Sequence, residues 1–369
     1  MKAWPVVGIL LMQAFLLLAH WFIFLTLIAF WPSLSPAQVL ALRTALLLLG
    51  LSFIVAALLG FRFANWPVRI LYWVAAVWLG LLNFFFWASC LCWLVALAYR
   101  LPGFPLNRPL TADLLFGLAL FAGVYGLFNA RHIRVRRLSI ALPGLPASWR
   151  GRTALVLSDL HLGNINGAGF SRRMVAMAAA LHPDIVFIPG DLFDGTRDDP
   201  DRQIAPFREL HAPFGVYFAT GNHDEFGNVA HYTAALTRVG IRVLSNEQVI
   251  VDGLHVVGID FRDSTFPLRL RMFLESLHLA PGEASILLNH MPSRLPTVEQ
   301  AGIRLQLSGH THGGQIFPFT YFTRRVFGEF TYGLHRFGGL QVYTSSGAGT
   351  WGPPMRVGTH PEIVLLTFE

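Results

Sequence analysis

Four apolar runs dominate the first third of the chain, and they restrict its folding more than any other feature. Pro5–Phe30 is apolar apart from Gln13, His20 and Thr26. Val39–Leu59 is apolar around Arg43, Ile70–Tyr99 is a long apolar run, and Leu110–Asn129 has Asp113 near its start. A bilayer core of ~30 Å needs about 20 such residues per helix, so the runs predict four transmembrane helices. The third is longer than a span requires and must tilt or leave a turn at the interface. Trp31, Trp66, Trp73, Trp87 and Trp93 are distributed as partly interfacial aromatics. A cleaved signal peptide does not fit, because the first run is too long and three more follow it.

Charge divides the chain at the same place. Residues 1–150 hold eleven Lys/Arg against one Asp, whereas residues 151–369 hold seventeen against twenty Asp/Glu. The basic character therefore belongs to the membrane part and its flanks. The remainder lacks the basic face that a nucleic-acid binder needs, and no protein partner can be inferred. With the N-terminus inside, Lys2, Arg62, Arg69, Arg131, Arg134, Arg136 and Arg137 fall on the cytoplasmic side. Arg100 and Arg108 fall outside, joined by Arg43 if it snorkels outward. This bias favours an inner (plasma) membrane protein with its second part in the cytoplasm, while the alternation Ile133-Arg134-Val135-Arg136 also fits the solvated face of the second part's first strand. Cys90 and Cys92 lie two apart in one helical run and face different directions, which rules out a disulfide between them.

The second part is organised by five polar clusters, each ending a short apolar run. Thr153–Leu157 leads to Asp159-Leu-His161, and Asp184–Ile188 to Gly190-Asp191-Leu-Phe-Asp194. Val216–Ala219 leads to Gly221-Asn222-His223-Asp224, Ser285–Leu288 to Asn289-His290, and Arg304–Leu307 to Gly309-His310-Thr-His312-Gly-Gly-Gln315. Runs of this length, rich in Val, Ile and Leu and broken by Gly or Asn, predict buried strands. Polar residues just past strand ends converge on one edge of a sheet. Helical patterns at Ser171–Leu181, Asn228–Val239 and Leu268–Leu277 alternate with the strands. Ala141–Arg152, with its Leu-Pro-Gly-Leu-Pro sequence, is expected to be a loop.

Carboxylate, imidazole and amide donors without a thiolate suit Mn, with Fe or Zn as alternatives. The clusters offer more donors than one ion uses. An Asp such as Asp191 can bridge two ions roughly 3.5–4 Å apart, an arrangement that activates water and clamps a phosphoryl oxygen.

Asp-x-His, Gly-Asp-x-x-Asp, Gly-Asn-His-Asp, a lone His and Gly-His-x-His, in that order, resemble the calcineurin-like metallophosphoesterase family. The likeness runs from about Ile133 to the C-terminus. Gly-His-Thr-His-Gly-Gly-Gln, with the tail Gly347-Ala-Gly349, Arg356 and Pro361-Glu362, is similar to its membrane-linked bacterial branch. The resemblance implies a two-sheet αββα sandwich over residues 131–369, behind a multi-pass transmembrane domain over residues 1–130. It implies that Asp159, His161 and His312 hold one metal, and Asn222, His290 and His310 a second, with Asp191 bridging. It also implies that His223 acts on the bound phosphate, with Asp224 orienting its imidazole. Asp194 is expected to support a ligand His from behind, and Asn164 to reach the substrate phosphate.

The expected activity is hydrolysis of a phosphodiester or pyrophosphate in a lipid or lipid precursor. Some relatives in the superfamily cleave UDP-diacylglucosamine, which makes that nucleotide lipid a named candidate. The alternatives are a phosphodiesterase for soluble nucleotides and a metal-bound sensor or scaffold without turnover. An intact His223 and a full ligand set argue against the latter. Phe317–Phe337, rich in aromatics around Arg324 and Arg325, is expected to be either a core-packed insertion or hairpin, or a loop dipping into the membrane interface.

Overall fold

The computed structural model describes residues 3–100, 105–277, 279–280 and 282–369. Lys2, counted above in the charge bias, lies outside the described residues. The chain divides into two compact units. The first comprises Met1–Phe128 with Gly352–Val357, and the second Asn129–Trp351 with Gly358–Glu369.

The first unit holds four helices: α1 (Ala3–Phe30), α2 (Pro36–Arg62), α3 (Trp66–Tyr99) and α4 (Arg108–Arg131), the last continuing a few residues past the unit. Each is long and apolar enough to cross a membrane. Their starts are written locally. Ser35 and Gln38 form a reciprocal capping box ahead of Pro36, and Asn65 Oδ1 accepts from Val68 N–H at 3.1 Å. As one unbroken 34-residue helix, α3 is about 51 Å long. Tilting to ~40° cannot fit that length into a ~30 Å core, so part of α3 must project beyond the hydrocarbon layer.

Leu16, Ile23 and Leu27 of α1 pack with Leu46 and Ile54 of α2 and Leu82 of α3. Polar groups inside the unit find partners there. His20 takes the indole N–H of Trp78 on Nε2 at 2.8 Å and faces Leu16 O through Nδ1, while Trp93 N–H donates to Thr26 Oγ1 at 2.9 Å. Such pairing is needed where lipid offers no hydrogen bonds. Within Gly352–Val357, Met355 lies against Gly80, and the backbone N–H of Arg356 donates to Gly126 O at 3.0 Å.

The second unit is built on two six-stranded mixed sheets. The first joins β1 (Arg134–Ile140), β12 (Glu362–Phe368), β2 (Thr153–Val156), β3 (Ile185–Pro189), β4 (Val216–Ala219) and β5 (Ile241–Val243), in that order. The second joins β10 (Gly333–Phe337), β11 (Leu340–Thr344), β9 (Leu305–Ser308), β8 (Ser285–Leu288), β7 (Leu254–Gly258) and β6 (Glu247–Val251). Ala154, Val156, Phe187 and Ala219 of one sheet meet Val256, Ile286, Leu288 and Leu305 of the other in a common core. The helices are α5 (Ala168–Ala179), α6 (Pro200–Ile204), α7 (Val229–Arg238), α8 (Phe261–Thr265), α9 (Pro267–Ser276), α10 (Leu295–Gln300) and α11 (Phe319–Phe327). Helices α5 and α7 cover the outer face of the first sheet, through Met174, Val175, Ala235 and Leu236. Helices α9 and α10 cover the second, through Leu270, Leu274 and Val298. This is the expected αββα layering.

One local expectation holds and one needs adjusting. Ala141–Arg152 is a loop inside the second unit, since β1 precedes it and already pairs in parallel with β12. Phe317–Phe337 is an insertion with its own helix, which is not buried in a core, rather than a hairpin or a loop. It contains α11, a short helical turn over Gly328–Thr331, and then β10. Phe319, Phe322 and Val326 form one exposed stripe of α11, while Thr320 packs on Gly314 and the Phe327 ring lies 6.0 Å from that of His310.

Candidate metal centre

The carboxyl ends of β2, β3 and β4 in one sheet and of β8 and β9 in the other deliver all the candidate residues to one edge. The loops after β2 and β3 remain laddered to each other. His161 N–H donates to Asp191 O at 3.0 Å, and Leu162 N–H to Leu192 O at 2.8 Å. Asp159, His161, Asp191, His310 and His312 all have φ between 48° and 68°, a left-handed conformation uncommon outside glycine. Close approach also explains two glycines of the motifs. A Cβ at Gly221 would lie 2.2 Å from Asp191 Oδ1, and one at Gly309 would lie 2.0 Å from Asp159 Oδ2.

Asp159, His161 and His312 form one buried group. His161 Nε2 and His312 Nε2 are 3.0 Å apart, and His312 Nε2 is 3.4 Å from Asp159 Oδ1. Asp159, Asp191 and His290 form another. Asp191 Oδ2 stands between the two, 3.6 Å from His161 Nε2 and 3.2 Å from His290 Nε2. His290 donates through Nδ1 to Pro189 O at 2.8 Å, which leaves Nε2 as its free lone pair. Asn222 Oδ1 is 2.8 Å from His310 Nδ1, and the His310 ring is 5.1 Å from that of His290. The structure thus brings together all seven residues singled out in the sequence as metal ligands.

These residues fit divalent cations. His290 Nε2 is buried without a well-directed hydrogen bond, and two imidazole nitrogens face each other beside two carboxylates. The charges gathered here oppose one another. Burial pushes the Asp159 carboxyl up, while burial together with the Asp191 charge pushes Asp224 up to about 7. Burial opposes the charge of His290, but the Asp191 and Asp159 carboxylates outweigh it and raise that imidazole to about 9. Burial and the neighbouring His290 push His310 down to about 3. A cation replaces these awkward protons with a fixed positive charge.

The surroundings of His223 differ from expectation. Asp224 does not face its imidazole. Instead, Asp224 Oδ2 accepts from the backbone N–H groups of Asp191 and Gly221, both at 2.8 Å, and Oδ1 from that of Phe193 at 2.9 Å. Neighbouring side chains in the turn after β4 diverge, so adjacency in sequence did not become contact. The group beside His223 Nδ1 is Asp194, with its carbonyl at 3.3 Å and its carboxylate at 3.7 Å. The same carboxylate lies 3.3 Å from His161 Nδ1. Asn164 is buried, with neither amide atom hydrogen-bonded.

Sequence reading gave no role to Phe226, Gln315 or Trp351, although all three border the site. The rings of Phe226 and Trp351 lie 4.9 and 5.7 Å from that of His223. Gln315 was visible in its motif, but its partner Trp351 is too far along the chain for any local signal.

Residues 152–314 match the family model described as calcineurin-like phosphoesterase. The chain is 33% identical over 262 residues to the transmembrane protein with metallophosphoesterase domain of Danio rerio, covering 67% of this chain and 60% of that protein. It is 30% identical over 260 residues to an uncharacterized metallophosphoesterase of Aquifex aeolicus, covering 68% of this chain and 98% of the relative. The chain spans about three fifths of the length of several other curated relatives. Among solved structures, a dimetal phosphatase from Danio rerio matches 60% of this chain and 100% of its own, at 14% identity and a TM-score of 0.41. The fold and the ordered Asp, Asn and His clusters are those of a metallophosphoesterase domain behind four apolar helices. The chain belongs to the calcineurin-like phosphoesterase family.

Proposed function

We propose that the protein is a membrane-bound phosphoesterase using two divalent metals, most suitably Mn, to hydrolyse a phosphodiester or pyrophosphate in a lipid or lipid precursor. The observation carrying the chemistry is the placement of Asp191 between the His161–His312 pair and His290. Asp159, His161 and His312 would hold one cation, and Asn222, His290 and His310 the other, with Asp191 shared. When bound, such cations polarise the phosphoryl oxygens and lower the pKa of water. The protein's own groups supply the rest. His223 would give the leaving oxygen a proton from Nε2 as an imidazolium whose Nδ1 side faces Asp194; burial and the neighbouring His161 lower its pKa, and the Asp191 and Asp194 carboxylates work against that shift. The unpartnered amide of Asn164 is available to donate to a phosphoryl oxygen.

The lipid assignment rests on α11. Its inner face packs on the motif that carries His310 and His312. Its outer face exposes Phe319, Phe322 and Val326 beside Arg324 and Arg325, the make-up of a helix lying among headgroups. The four apolar helices supply membrane attachment. The basic residues at their ends favour an inner-membrane protein with the phosphoesterase unit in the cytoplasm. The test uses the full chain in Mn-loaded nanodiscs, with a panel of embedded phospholipids and UDP-diacylglucosamine beside soluble nucleotide diesters. Replacing Phe319, Phe322 and Val326 with Ser is expected to slow lipid hydrolysis about tenfold or more, since ~1.4 kcal/mol of lost partition is tenfold. Soluble diesters should change little. Equal losses on both would reduce α11 to packing, and turnover of soluble diesters alone would favour the nucleotide reading.

A further inference from the structure

Two large aromatic rings stand at the site without being buried by the fold. Phe226 is 63% and Trp351 58% exposed, yet both lie against the buried imidazole of His223, at interplanar angles of 62° and 64°. Single exposed apolar residues are ordinary on a surface. Two on the same imidazole, each held in place, are not explained by packing.

Trp351 is held by its peptide groups. Its N–H donates to Gln315 Oε1 at 3.0 Å, and its carbonyl accepts from Gln315 Nε2 at 2.9 Å. Gln315 is itself fixed, with φ at 53° and its carbonyl accepting from Thr359 Oγ1 at 3.0 Å. On the other side, Phe226 N–H donates to His223 O at 3.2 Å, and Phe226 sits close over Gly195. The fold thus fixes the backbone from which two aromatic side chains reach the imidazole, although those rings gain little burial from it.

We propose that Phe226 and Trp351 form a slot that receives a ring-bearing leaving group of the substrate, with Gln315 as the positioning residue that sets Trp351. The proposal rests on the reading of His223 as the group that protonates the leaving oxygen, because the moiety attached to that oxygen must then lie between the residues flanking His223. Aromatic walls hold a planar or CH-rich ring face: an aryl group, a nucleobase or a pyranose. A methyl group offers no such face.

The experiment uses the Mn-loaded full chain and competitive inhibition of bis(4-nitrophenyl) phosphate hydrolysis by phenylphosphonate and methylphosphonate. These two inhibitors share a charged head and differ in the ring. The parent is expected to prefer phenylphosphonate by about tenfold, the scale of one stacked ring. Trp351→Ala should cut the preference to about twofold, mainly by weakening phenylphosphonate, and Trp351→Phe should restore most of it. Gln315→Ala should lower the preference too, but should add nothing in the Trp351→Ala background. Uridine monophosphate and glucose 1-phosphate, run as further inhibitors, tell a base from a sugar as the natural ring.

Equal binding of the two phosphonates by the parent would overturn the slot. So would a Trp351→Ala variant that weakens both inhibitors alike while keeping its metal content. Additive effects of Gln315→Ala and Trp351→Ala would remove the positioning role of Gln315. A parent that binds metal but hydrolyses no diester would instead refute the phosphoesterase reading, a result distinct from each of these.

Discussion

Replacing Asp224 with Ala separates two accounts of this residue. If Asp224 oriented the imidazole of His223, its loss would lower the rate and leave stability nearly intact. The structure gives it another task. Its fully buried carboxylate accepts three backbone N–H bonds, from Asp191, Gly221 and Phe193, and so ties the β3 loop to the β4 turn. Each buried donor left without a partner costs about 1–3 kcal/mol. Water entering the vacated space would recover part of the loss, so the expected destabilisation is about 3–5 kcal/mol, a large share of a stability of about 5–15 kcal/mol. At roughly 2–4 °C per kcal/mol for a unit of this size, the melting point should fall by about 6–20 °C. Asp224→Asn keeps one acceptor oxygen and should lose about 1–3 kcal/mol. The assay is thermal unfolding of the full chain in detergent, with hydrogen exchange read at the amides of Asp191, Phe193 and Gly221. Those three should lose protection first. A variant that melts within about 2 °C of the parent, keeps these amides protected and is merely slow would refute the argument and return Asp224 to the imidazole.

Three further outcomes test the metal centre. Elemental analysis of active, metal-loaded protein should give two divalent ions per chain, and Asp191→Asn should abolish activity by weakening both sites, because a neutral amide bridges poorly. A single ion in active parent protein, or activity of the variant within several-fold of the parent, would contradict this. His223→Ala should keep its metals and lose rate by roughly 10²–10⁴-fold. Loss of metal from that variant would move His223 into the ligand set.

The parts legible in the sequence were those written in local patterns. The four apolar helices follow from length alone. β4 (Val216–Ala219) and β8 (Ser285–Leu288) coincide with their apolar runs, because each run is closed by the Gly or Asn that turns the chain. Helix α11 was hidden because Phe319, Tyr321, Phe322 and Phe327 are residues that strands also favour, and its apolar stripe meets no core that would have made the period visible. The pairing of Asp194 with His223 was hidden for a different reason. Asp224 is the neighbour in sequence, but its carboxylate is consumed by backbone donors, and the side chain that reaches the imidazole arrives from the loop after β3. The same holds for Gln315 and Trp351. Contacts set by where two loops meet leave no trace in either loop alone.

The left-handed residues show what the two sheets accomplish together. Asp159 and His161 follow β2, Asp191 follows β3, and His310 and His312 follow β9, each with positive φ. Such conformations cost about 1–3 kcal/mol apiece and persist only where the surroundings enforce them. The enforcement is visible: Asp159 N–H donates to Gly190 O at 3.2 Å, Gly309 N–H to His290 O at 2.9 Å, and His310 N–H to Asp159 Oδ1 at 2.9 Å. The last two bonds differ in kind, one linking loops within the second sheet and the other joining the two sheets through a candidate ligand itself. Asp159 therefore helps hold the His310 loop as well as presenting a donor oxygen. The strain is balanced by contacts between strand ends that only the closed sandwich brings together. The donor groups are in this way held in place by contacts within the fold, which is the condition under which a metal site can be both tight and reactive.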